Sequence, residues 1–208
     1  MNKTTLGALL LFLVFGVLTY IKESRGVPNE PLKKDTVILA FGDSLTYGYG
    51  APIDYSYPAE FEKKTGYHII NAGIPGEESA EGLRRLPQFL KQRPALVILC
   101  HGGNDILRKR SHEQLKKNLI QMVNLIKRSG AKVLLVGVPD FHVLGFKTLG
   151  LYKEVAKETG VMYEGKILSQ IELHRELKSD YVHPNEKGYE MMADAFIEVL
   201  QDEGVLQK

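Results

Sequence analysis

The chain has 208 residues, 44% hydrophobic and 25% charged, with 27 Lys and Arg against 25 Asp and Glu for a formal net charge of +2. This is globular composition, which excludes a disordered, collagen-like or many-span membrane protein; the balanced charge, with no basic stripe interleaved with aromatics, gives nucleic acid no electrostatic footprint. The lone cysteine, Cys100, has no partner for an internal disulfide and lies in an apolar run, where a small buried thiol is expected rather than a nucleophile.

In chain order, residues 1–22 come first: Lys3 precedes an uncharged stretch from Leu6 to Ile21. From Thr4 to Ile21 roughly 18 residues just reach across the hydrocarbon core, which favours an uncleaved signal-anchor. Ser24-Arg25-Gly26 leaves a cleaved signal peptide open as the alternative. Either way the expected location is membrane-associated and extracytoplasmic, with the membrane as a partner through this segment, or secreted after cleavage. Lys22, Arg25, Lys33 and Lys34 run against that orientation, because positive charge prefers the cytoplasmic side. Residues 23–34, with Pro28 and Pro31, read as a tether. The remainder, 35–208, is long enough for one well-buried core.

From there, short apolar runs at 36–41, 68–71, 96–100, 132–138 and, more weakly, 161–163 alternate with helical periodicity at 57–64, 79–91, 112–129, 151–159 and 185–201. That alternation predicts an α/β fold, a three-layer α/β/α sandwich around a mainly parallel sheet. In such sheets functional groups collect at the carboxyl ends of the strands. The first run is followed by Gly42-Asp43-Ser44-Leu45-Thr46, with a hydroxyl at a strand-to-helix turn whose N–H groups face it. Ser44 there suits a nucleophile and equally a helix cap. Thr46 rules out the G-x-S-x-G elbow, and no phosphate loop is present. After the second run Gly76 lies in a glycine-punctuated turn, and after the third Asn104, in Gly102-Gly103-Asn104-Asp105, offers a neutral amide donor suited to an oxyanion or to a simple turn. Near the C terminus Asp180 precedes His183 by three residues, so the carboxylate can accept from Nδ1 and leave Nε2 free as a base. The histidines show neither H-E-x-x-H nor a paired Cys/His spacing, so no metal and no cofactor is expected. Nothing in the sequence specifies an oligomeric state.

Together, Gly42-Asp43-Ser44-Leu45, Gly76, Gly102-Gly103-Asn104-Asp105 and Asp180-x-x-His183 resemble the four sequence blocks of the SGNH (GDSL) hydrolases, in order and over nearly all of the chain after the tether. Arg84-Arg85-Leu86-Pro87 adds a likeness to the thioesterase, lysophospholipase and arylesterase branch, from which Glu77 departs, where Asp is frequent. The resemblance implies a flavodoxin-like fold, a metal-free esterase, Ser44 as nucleophile, His183 as base, Asp180 as its orienter, and Ser44, Gly76 and Asn104 as oxyanion donors. Within that reading the apolar residues Phe141, Val143, Leu144 and Phe146, after the fourth run, are candidates for the wall of a pocket for lipid-like acyl chains or for core packing. A carbohydrate O-acetylesterase and a non-catalytic binding module are the alternatives.

Overall fold

A computed structural model describes residues 31–142 and 145–208, which form one compact unit from Pro31 to Lys208. The anchor segment 1–22, tether residues 23–30, and Val143 and Leu144 lie outside the described residues. Strands β1 (Val37–Gly42), β2 (His68–Gly73), β3 (Leu96–Cys100), β4 (Lys132–Val136) and β5 (Met162–Glu164) are all parallel, in the order β2-β1-β3-β4-β5. This is the flavodoxin-like order, and it follows from burial. β1 and β3, the continuous apolar runs, take central places, and β2, with exposed His68 and Asn71, takes an edge.

Helices α1 (Ser44–Tyr47), α2 (Tyr57–Thr65), α3 (Ser79–Leu90), α4 (Gly103–Leu107), α5 (His112–Arg128), α6 (Gly150–Thr159), α7 (Ile167–Leu173) and α8 (Glu186–Asp202) connect the strands and cover the sheet. In α5 the buried residues Leu115, Leu119, Met122 and Ile126 recur at helical spacing, as do Tyr189, Met192, Ala193, Phe196 and Leu200 in α8. α3, α5 and α6 pack side by side, and α2 pairs with α8, with Tyr57 meeting Phe196 edge-on at 5.0 Å between ring centroids. These are the three expected layers. Short α1, α4 and α7 were not predicted.

Two local differences have physical causes. The fourth run, expected to reach residue 138, stops pairing at Val136 because β5 offers three residues, and the Gly137 N–H takes the last carbonyl, that of Glu164, at 2.7 Å. At the other end Leu32, assigned to the tether, is bonded to the domain. Its N–H donates to the Val205 carbonyl at 2.9 Å, and its carbonyl accepts from the Tyr67 hydroxyl at 2.7 Å. Among the described residues no helix is long and apolar enough to cross a membrane.

Candidate active site

β1 ends against its neighbour so closely that a Cβ on Gly42 would lie 1.9 Å from the Cys100 carbonyl oxygen, which is why glycine opens the turn. Asp43 follows, buried, and one carboxylate oxygen caps α1 by accepting from the Leu45 N–H at 3.1 Å. The other oxygen accepts from the Gly103 N–H, also at 3.1 Å, and so ties the end of β1 to the start of α4. Burial pushes the Asp43 carboxyl up, with His101 and the two N–H donors acting against it. Ser44, the first residue of α1, is thereby held with its N–H without an acceptor among the described residues.

Ser44 Oγ lies 3.0 Å from His183 Nε2, and His183 Nδ1 lies 2.7 Å from Asp180 Oδ2. Asp180 Oδ1 accepts from the N–H groups of Val182 at 2.9 Å and His183 at 2.8 Å. Burial raises the Asp180 carboxyl, but the hydrogen bonds from His183 and these two N–H groups outweigh it and hold the group below its ordinary value. An ionised Asp180 fixes the proton of neutral His183 on Nδ1, leaving Nε2 to accept from the Ser44 hydroxyl. The Tyr49 ring flanks the imidazole at 4.7 Å between centroids, a contact no sequence pattern announced.

Beside Ser44 and His183 is a small cavity whose remaining walls include Asn104, Leu107, Phe141 and Val182. The Asn104 amide donates one N–H to the Glu77 carbonyl at 3.1 Å and keeps the second. That bond brings the turn containing Gly76 alongside; Gly76 has φ +82° and an N–H with no acceptor among the described residues. Ser44, Asn104, Asp180 and His183 are thus gathered at the carboxyl edge of the sheet, with Gly76 adjacent. Of the residues expected in an acyl wall, Phe141 lines the cavity. Phe146 does not line it and packs farther out, 6.4 Å from the Tyr181 ring. Val143 and Leu144 lie outside the described residues.

Beneath these groups is a buried polar layer that sequence reasoning missed. Glu77 accepts from Arg85 Nε at 2.5 Å and Nη2 at 2.6 Å, and its Oε2 is 3.0 Å from His101 Nε2. The Gly102 N–H donates to His101 Nδ1, which leaves the His101 proton on Nε2 to face Glu77. Arg85 Nη2 also donates to the carbonyls of Gly42 and Ala72, the ends of β1 and β2. Asp105 accepts from the Ser79 N–H at 2.7 Å and hydroxyl at 2.6 Å, fastening α3 to α4. Glycine at Gly82 inside α3, where a Cβ would fall 2.3 Å from His101 Nε2, was the available signal of a close approach.

Residues 40–191 match the GDSL-like Lipase/Acylhydrolase family. The chain belongs to this family. It is 32% identical over 168 residues to an arylesterase of Vibrio mimicus, covering 76% of this chain and 84% of that one. It is 31% identical over 174 residues to thioesterase 1/protease 1/lysophospholipase L1 of Escherichia coli strain K12, covering 79% and 83%. A match to the esterase TesA of Pseudomonas aeruginosa, 39% identical, spans 107 residues, 49% of this chain and 53% of that relative. Among solved structures it resembles TesA at TM-score 0.72 and 27% identity, covering 80% of this chain and 99% of that one. It also resembles AlinE4, an SGNH-hydrolase family esterase, at TM-score 0.64 and 32% identity, covering 82% and 97%. The protein is an SGNH acyl ester hydrolase.

Proposed function

We propose that this SGNH hydrolase cleaves carboxylic esters and thioesters through an acyl-enzyme on Ser44. The observation that carries the reading is the chain of contacts from Ser44 Oγ to His183 Nε2 at 3.0 Å and from Nδ1 to Asp180 at 2.7 Å. Ser44 Oγ attacks the carbonyl while His183 Nε2 takes its proton. The tetrahedral oxyanion is met by the Ser44 N–H, the Gly76 N–H and the second N–H of Asn104. His183 then returns the proton to the departing alcohol or thiol, and water attacks the acyl-enzyme with His183 again as base. Ser44→Ala is expected to abolish fluorophosphonate labelling and cut kcat by roughly 10³-fold or more on p-nitrophenyl esters. Labelling that survives the substitution moves the nucleophile elsewhere, and a wild type with neither label nor turnover favours a binding module.

For the acyl group we propose lipid-like chains, supported by the apolar side of the cavity and by the exposed Tyr181 and half-buried Phe146 beyond it. Names of the relatives, thioesterase and lysophospholipase among them, agree with that substrate class. A short acyl group, as in a carbohydrate O-acetylesterase, is the second reading, favoured by the small volume beside Ser44. We further propose that the uncharged stretch within residues 1–22 holds the enzyme at the extracytoplasmic face of a membrane. Full-length protein should then resist carbonate extraction; a soluble mature form beginning near Val27 would decide for a cleaved signal peptide.

A further inference from the structure

Behind the loop that carries Asp180 and His183 lies an ion pair that the ester chemistry does not use. Lys178 Nζ is 2.9 Å from Glu172 Oε2 of α7, and the two side chains are 7% and 2% exposed. Burial pushes the Glu172 carboxyl up, opposed first by Lys178 and then by His183. Desolvation of such a pair offsets most of its Coulomb attraction, so net stability is a poor explanation for its presence.

Its other contacts supply a better one. The same ammonium donates to the Tyr181 carbonyl at 3.0 Å. That carbonyl belongs to the peptide whose other end, the Val182 N–H, donates to Asp180 Oδ1 at 2.9 Å. A peptide unit is planar, so holding its C=O fixes the direction of its N–H. Lys178 therefore grips one side of the plane that orients Asp180 on the other. The loop is closed at its base by the Ser179 N–H donating to the His183 carbonyl at 2.9 Å and by the antiparallel bridge between Lys178 and Pro184. Lys178 Nζ also lies 5.2 Å from the Phe146 ring centroid and 5.6 Å from that of Tyr181. Phe146 has φ +42°, a left-handed backbone that a bulky side chain adopts only where its surroundings hold it.

We propose that Lys178, anchored by Glu172, is a positioning residue: it fixes the 181–182 peptide plane, and through it Asp180 and His183, and it holds Phe146 and Tyr181 at the outer edge of the site. This rests on the reading that Asp180 and His183 serve Ser44.

The test compares wild type, Lys178→Met and the double variant Lys178→Met/Glu172→Gln in fluorophosphonate labelling, p-nitrophenyl acetate kinetics, thermal melting and the downfield NMR signal of the His183 Nδ1 proton. Lys178→Met leaves a buried carboxylate unpaired and should lower both Tm and kcat, the latter by about 10- to 100-fold with KM within about twofold, the cost of a catalytic group displaced by a fraction of an ångström to one ångström. The double variant removes the orphan charge, so Tm should return towards wild type while kcat stays low and the Nδ1 proton signal stays weakened. A double variant with wild-type kcat, or one whose kcat recovers in step with Tm, overturns the proposal and leaves Lys178 a structural residue. A wild type that fails to label at Ser44 overturns instead the assignment of the nucleophile, whatever the variants do.

Discussion

The Asp180 side chain is 45% exposed, so it acts on His183 through orientation and choice of tautomer more than through a buried field. Asp180→Asn keeps a side chain of the same shape but presents an amide that no longer fixes the proton on Nδ1. It should lower kcat by roughly 10²- to 10⁴-fold with little change in Tm, read by steady-state kinetics beside a melting curve. Glu77 is the opposite case, a buried carboxylate whose partners decide its state. Burial raises its carboxyl, and the hydrogen bonds from His101 and Arg85, with the Arg85 charge beside it, outweigh that and bring it below the ordinary value. A carboxyl lowered in the folded state stabilises the fold above its unfolded value of 4.5, and that contribution disappears as pH falls through the folded value. Glu77→Gln, which leaves Arg85 without its anion, should cost on the order of 3 kcal/mol at pH 7. In chemical denaturation the gap between wild type and variant should stay constant down to about pH 5 and narrow in more acid solution. A gap unchanged at pH 3 would show that the charge of Glu77 contributes nothing.

Elements with a long, regular pattern were legible in the sequence. α5 and α8 showed helical spacing over several turns, and β1 and β3 showed apolar runs that only a covered central strand explains. The helices α1 and α4 have four and five residues, too few for a period to repeat, and they exist because Asp43 and the strand ends hold them. The groups proposed to act were legible for a different reason: Ser44, Asn104, Asp180 and His183 carry distinctive chemistry at strand ends or in the last loop. Glu77, Arg85 and His101 were not, because charges in a helix or a turn ordinarily read as solvated surface, and their burial depends on mutual pairing across the fold. The place of Phe146 was not legible either, because it lies against Lys178 and Tyr181, residues distant in the sequence. α3 offers the test of how these levels meet. In a solvated helix Gly→Ala stabilises by about 1 kcal/mol. At Gly82 the added methyl would lie 2.3 Å from His101 Nε2 and 2.8 Å from Cδ2, atoms of a rigid ring that is fully buried. Gly82→Ala should therefore destabilise, by about 1–3 kcal/mol, with a lower Tm as the readout. A higher Tm would mean that α3 can move off His101 without loss.

At the scale of the whole molecule, the sheet order brings the loops after β1, β3 and β4 and the loop before α8 to one rim, and the space left between them sets which acyl groups fit. Among the described residues the cavity beside Ser44 measures about 10 Å³, close to the least volume that holds one water. Under the proposed function it takes the first carbon or two of an acyl group, and a longer chain continues outwards past Phe141 towards Tyr181, which is 65% exposed, and Phe146. A fully buried methylene adds about 0.8 kcal/mol, close to fourfold in kcat/KM, whereas one lying on an open rim keeps one side in water and adds about half of that, near twofold. The expected profile over p-nitrophenyl esters is thus a shallow climb of about twofold per methylene from acetyl to hexanoyl and a plateau once the chain passes the aromatic pair. Phe146→Ser should flatten the climb and leave acetyl turnover nearly unchanged, because the proposed mechanism holds the reacting carbonyl with Ser44, Gly76 and Asn104 and not with this ring. A fourfold climb would mean that the chain is buried on all sides rather than lying on an open rim. A profile that peaks at acetyl, and is the same in the variant, would make the small cavity the whole acyl site and decide for the short-acyl enzyme.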